Sequence, residues 1–102
     1  MSDPTREVLV EVYVERSKQD HQWGEQNHPD GTGRPQDHIM AEAAKILNDH
    51  KAERGTLTFR DILEEEVWEA YAETDPGRLR EELVQVAAVA IAWIEALDRR
   101  KG

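Results

Sequence analysis

Residues 61–82 read DILEEEVWEAYAETDPGRLREE, and the rest of the chain is organised around them. Five glutamates fall within ten residues: Glu64, Glu65, Glu66, Glu69 and Glu73. The chain then turns at Thr74-Asp75-Pro76-Gly77 and presents a second acidic pair, Glu81 and Glu82. Side chains three or four apart share one face of a helix, which sets Glu65 and Glu66 beside Glu69 and Glu82 beside Gln85. Two helices packed antiparallel across so short a turn bring three carboxylates and an amide oxygen to one spot. Like charges at that spacing repel, and crowding them destabilises both helices unless a counter-ion is present. A hard divalent cation answers the need, because Mg²⁺ takes oxygen ligands and favours carboxylates. Mn²⁺, which suits the same donors, is expected to substitute. A glutamate run is more often a solvated helix face. Here the matching spacing on two consecutive helices, and the way Glu82 and Gln85 lead into an apolar segment, favour a site.

That apolar segment, LVQVAAVAIAWIEAL over residues 83–97, has thirteen apolar residues in fifteen. A helix apolar nearly all round must be buried nearly all round. Three other short helices cannot cover it, so a dimer that uses this helix is expected. Working backward, Asp75-Pro76 caps this fourth helix, which runs to about Arg100. Thr58 to Asp61 resembles a capping box with aspartate in the usual glutamate place, and starts a third helix that runs to about Glu73. Asp37 to roughly Glu53 reads as a second helix ended by Arg54-Gly55. Asp3-Pro4 is a good helix start, and Val8, Leu9, Val12 and Tyr13 repeat at helical spacing to about Gln22. Val8, Val10, Val12 and Val14 also alternate, so a strand competes there, but no strand partner exists elsewhere in the sequence. Residues 23–36 (WGEQNHPDGTGRPQ) form a loop by every local sign, long enough to suggest a functional role.

The chain has 102 residues, one domain's worth, and a domain of this size buries roughly two-thirds of its unfolded surface. Its net charge of −9, from 22 acidic and 13 basic residues, argues against nucleic acid or an anionic membrane as the main partner. The absence of cysteine excludes thiol catalysis, disulfides and thiolate metal sites. The start, MSDPTREV, has neither a basic leader nor an apolar core, so a cytoplasmic location is the expectation. The 83–97 run falls short of the about 20 apolar residues a membrane span needs.

A second candidate site lies at the loop. In Gln19-Asp20-His21-Gln22-Trp23-Gly24-Glu25-Gln26, the amides of Gln19 and Gln26 suit the edge of a nucleobase and Trp23 can stack on it. The competing reading makes Trp23 a core plug at a helix end. Lys51, Arg54 and Arg60 stand where they can reach phosphates, although isolated cations are usually surface charges. The four histidines show no zinc-ligand spacing.

Glu65-Glu66-Val67-Trp68-Glu69, followed after twelve residues by Glu82-Leu83-Val84-Gln85, resembles the MazG-like branch of the all-α nucleoside triphosphate pyrophosphohydrolases. The family motif is E-x-x-E, a spacer, then E-x-x-D. The loop pattern Q-x-x-x-W-G-x-Q is similar to small MazG-like proteins of phages and actinobacteria. The resemblance implies an all-α, four-helix MazG-like domain that assembles as a dimeric bundle, or as a tetramer. It also implies Mg²⁺ held by Glu66, Glu69 and Glu82, with Glu65 as the extra acidic residue before the motif. Glu65 or Glu66 then orients or deprotonates the attacking water. The implied reaction converts a (d)NTP to the monophosphate and pyrophosphate. Gln85 departs from the motif: it stands where the family has aspartate, and offers a neutral oxygen instead of a charge. Two alternatives follow: a phosphoribosyl-ATP pyrophosphohydrolase, or a catalytically weak helical dimer that binds a nucleotide or a protein partner.

Overall fold

A computed structural model describes residues 3–101 of the chain. Four helices follow one another, α1 (Pro4–Trp23), α2 (Pro35–Glu53), α3 (Phe59–Ala72) and α4 (Pro76–Lys101). There is no strand among the described residues. The alternating valines of α1 are therefore helical, and local chemistry explains why. The Asp3 carboxylate accepts from the backbone N–H groups of Thr5 and Arg6, at 3.0 and 3.3 Å, and Pro4 occupies the first helical position. Gly24, at φ +71°, closes the other end and donates its N–H to the Asp20 carbonyl at 2.8 Å.

The loop is shorter than its composition suggests. Trp23 is the last residue of α1, and Pro35 and Gln36 already belong to α2. The proline that reads as a loop former is a helix starter, because its fixed φ suits the first turn and its missing N–H costs nothing there. Asp37 completes that start. Its carboxylate accepts from the Arg34 backbone N–H at 3.0 Å and from the Arg34 guanidinium at 3.2 and 3.3 Å. Asp37 is fully buried, and the Arg34 hydrogen bonds hold its carboxyl below the usual aspartate range.

The Thr58–Asp61 box forms as the sequence suggests. Asp61 N–H donates to Thr58 Oγ1 at 3.2 Å, and Thr58 N–H donates back to Asp61 Oδ2 at 3.1 Å. The α3 helix ends at Ala72, one residue before Glu73. At the start of α4, Asp75 Oδ2 accepts from the Arg78 N–H at 3.0 Å.

The described residues divide into two compact units. One holds α1, the loop as far as Asp30, and α4 from Ile91 onward; the other is Gly31–Ala90. In the first unit Val8 and Ala96 are buried, and Thr5 Oγ1 donates to the Glu95 carboxylate at 3.0 Å. In the second, Ala70 and Leu79 are buried. There Gly33 donates its N–H to the Tyr71 carbonyl at 2.7 Å, which ties the end of the loop to the C-terminal turn of α3. Only glycine suits that position: φ is +83°, and a Cβ would collide with the Thr74 side chain.

These four are the only buried apolar residues among those described. The expectation that the 83–97 segment is buried all round is not met within one chain. Leu83, Val84, Ile94 and Leu97 are all exposed.

Candidate metal centre

The acidic face begins with the grip of α2 on α3. Asn48, on α2, is 7 % exposed and uses both hydrogens of its amide. Nδ2 donates to the Asp61 carbonyl at 2.8 Å and to Glu65 Oε1 at 2.9 Å. One turn further along α2, Lys51 Nζ meets Asp61 Oδ1 at 2.8 Å. The Lys51 ammonium, helped by Thr58, holds the Asp61 carboxyl down at about 2. These contacts fix the first two turns of α3, and with them the helical phase of every glutamate that follows.

Glu66 and Glu69 of α3 and Glu82 of α4 come together. One carboxylate oxygen from each lies within 4.8 Å of the others, and all three side chains are half-buried. A Mg²⁺ with oxygens at about 2.1 Å has opposing ligands about 4.2 Å apart. The carboxylates therefore sit within a small side-chain adjustment of a cation's coordination sphere. The donor set is all oxygen, which suits hard divalent ions. Glu66 Oε2 is buried with no hydrogen-bond partner. An orphaned carboxylate oxygen is costly to bury, and a cation would satisfy it.

The electrostatics record the same crowding. Burial pushes the Glu66 carboxyl above its ordinary value, and the charges of Glu82 and Glu65 push it further. Glu69 is raised to about 7, first by burial, then by the Glu66 charge, a hydrogen bond to Glu65, and the charges of Glu82 and Glu65. In the absence of a cation, a proton on Glu69 relieves the repulsion.

Glu65 stands beside this trio, held by Asn48. Gln85 lies one turn on from Glu82, is exposed, and its side chain has no hydrogen-bond partner among the described residues. The three predicted phosphate contacts are occupied or peripheral. Lys51 is paired with Asp61, Arg60 Nε lies 3.8 Å from Glu64, and Arg54 is the exposed C-cap of α2.

Gln19, Trp23 and Gln26 belong to the other compact unit. Gln19 Oε1 accepts from Arg16 at 3.0 Å. Trp23 is 66 % exposed, so it does not plug a core. With Glu25, Gln26, Asn27 and His28 it lines an open concavity.

Asn48 is the residue that motif reasoning passes over. Its own neighbourhood gives no signal of burial, since Ile46 and Leu47 beside it are both more than half exposed, yet the buried amide must find partners and finds them on α3. No protein-family model, no curated protein and no solved structure matches this chain. Among the described residues, no helix is long and apolar enough to cross a membrane.

Proposed function

We propose that the chain is a Mg²⁺-dependent pyrophosphohydrolase that converts a nucleoside triphosphate, ribo or deoxy, to its monophosphate and pyrophosphate. The observation that carries the reading is the convergence of Glu66, Glu69 and Glu82, with an orphaned Glu66 oxygen, on the two helices that hold the E-x-x-E spacing and Glu82-x-x-Gln85. These three carboxylates would hold the ion. The chemistry such an ion would supply is neutralisation of charge on the phosphoryl oxygens of the triphosphate.

The chain's own residues divide the remaining work. Glu65 stays outside the trio, so it is the carboxylate free to orient the attacking water and take its proton. Its placement by Asn48 supports Glu65 over Glu66 for that role. The exposure of Trp23 supports a stacking role for its ring on the base.

Exposed apolar side chains support assembly as a dimer or tetramer. Leu83, Val84, Ile94 and Leu97 of α4 and Leu9, Val10 and Val12 of α1 all face solvent in a single chain. Full burial of one such side chain contributes about 1.5–3 kcal/mol, and the part still exposed here is close to half of that. A second copy that covered them would bury these apolar side chains at an interface between the two chains.

The test is pyrophosphate release from the common NTPs and dNTPs, with and without Mg²⁺, beside a Glu69→Gln control. Metal-dependent release from one or a few substrates, lost in the control, is expected. A folded protein that binds Mg²⁺ and releases nothing from any of them refutes the general hydrolase. That result would favour the second reading, a binding module with a weakened site, which the neutral and exposed Gln85 supports.

A further inference from the structure

A buried amide that spends both its hydrogens on one helix does more than join two helices when one acceptor is a reactive carboxylate. Asn48 is nine-tenths buried, and its Nδ2 bridges the Asp61 carbonyl and Glu65 Oε1, at 2.8 and 2.9 Å. Asp61 and Glu65 are four residues apart, hence stacked on one face of α3, with Glu69 the next in line. The Asp61 carbonyl belongs to the first turns of α3, where the helix sets its direction. Asn48 therefore measures the position of the Glu65 carboxylate against a backbone atom. A glutamate otherwise has three free torsions, and the neighbouring trio would draw its oxygens toward any bound cation. With Oε1 held by Asn48, that swing is restrained.

We propose that Asn48 is a positioning residue for the hydrolysis, acting through Glu65. It keeps that carboxylate out of the metal-holding trio and aimed for water. The inference rests on the hydrolase reading above, and it assigns a residue that lies outside the acidic motif. Two features separate it from simple helix clamping. The Lys51–Asp61 pair already grips the same turn of α3 from the same helix, one turn away. And the second hydrogen of Asn48 goes to a side chain with no need of burial support, since Glu65 is only half-buried.

The test is a double-mutant cycle in kcat with Asn48→Ala, Glu65→Ala and the double variant, alongside Mg²⁺ titration calorimetry on each. Partners that hold an active-site ligand typically cost 10–100-fold when removed. Asn48→Ala is expected to lower kcat by about that factor while KM and the Mg²⁺ affinity change by less than about threefold. In the Glu65→Ala background the same substitution is expected to change kcat by less than about twofold, because the group it positions is gone. Asn48→Gln keeps the amide but displaces it by one methylene. It serves as the second variant should the alanine fold poorly, with the same pattern expected. Equal losses in the two backgrounds, or an Asn48 variant with unchanged kcat, overturn the positioning role. A wild-type protein that releases no pyrophosphate at all fails the hydrolase reading itself and takes the inference with it. An active wild type with an additive cycle fails the inference alone.

Discussion

The raised carboxyl of Glu69 makes cation binding and protonation compete, and the competition has a calculable size. In the cation-free site Glu69 holds its proton up to about pH 7. A divalent ion needs the deprotonated form, so the apparent dissociation constant grows by the factor 1 + 10^(pKa − pH). That factor is about 1.1 at pH 8, about 2 at pH 7 and about 11 at pH 6. Mg²⁺ affinity is therefore expected to fall roughly tenfold from pH 8 to pH 6, with Glu66, also raised, steepening the fall at the acid end. Titration calorimetry in two buffers of different ionisation heat counts the protons directly. About 0.9 proton should leave per ion bound at pH 6 and about 0.1 at pH 8. Glu69→Gln should bind the ion weakly and with little pH dependence. Equal affinity at pH 6 and pH 8, with no proton released at either, would refute the reasoning and with it the assignment of Glu69 as a ligand.

The same shift fixes the direction of the pH–stability profile. Glu69 titrates near 4.5 when unfolded and at about 7 when folded, so the folded state binds the extra proton. Its contribution to stability is fully present below 4.5 and is lost as pH rises through 7. Water reaches this half-exposed group, so the loss is on the order of 1 kcal/mol, or a melting point lower by roughly 4–8 °C. Mg²⁺ should restore it at pH 8 and do little at pH 5.5. Asp61 does not confuse this window. Its depressed carboxyl contributes stability above its unfolded value of 3.8, lost only as pH falls through about 2.

Gln85→Asp places a carboxylate one turn from Glu82, which should tighten Mg²⁺ binding at pH 8. A sharp rise in turnover with it would mark the natural site as weakened, and a fall would place Gln85 in a working variant; a pyrophosphate assay decides. Gly33→Ala must adopt φ +83° and meets the Thr74 side chain, so thermal unfolding should show a loss of about 1–3 kcal/mol, and an unchanged melting point would show that the loop yields freely there.

Much of this arrangement was legible in the sequence because it is set by short-range rules. Thr58 and Asp61 box the start of α3, Asp75 and Pro76 start α4, and the i, i+3 spacing of Glu66 and Glu69 fixes a shared face. The convergence with Glu82 needed only the short turn between them. What escaped depends on partners distant along the chain. Asn48 pairs with residues 13 and 17 positions away, and nothing in its own neighbourhood says that it will be buried. Pro35 misled for a different reason: its surroundings, Gly31, Gly33 and Pro29, read as turn formers, yet proline also opens helices. Lys51 reads as a cation within reach of phosphate, yet it pairs with Asp61, ten residues on, a carboxylate that also serves the helix cap.

Whether the trio stands ready or forms only around its ion follows from comparing the forces on α3. Repulsion within the trio opposes folding by on the order of 1 kcal/mol once Glu69 ionises. Against it stand the two Asn48 hydrogen bonds at about 0.5–1.5 kcal/mol each and the Thr58 cap at about 1 kcal/mol, before the Lys51–Asp61 pair is considered. The grip on the start of α3 exceeds the repulsion. The site should therefore be preformed, and cation binding should settle side chains without building helix. Far-UV circular dichroism at pH 8 is expected to change little when Mg²⁺ is added to saturation, while the melting point rises. A large gain in helix signal on adding the ion would show the opposite order of forces: α3 frays without its counter-ion, and the hold of α2 on its first turns is weaker than the distances at Asn48 and Lys51 imply.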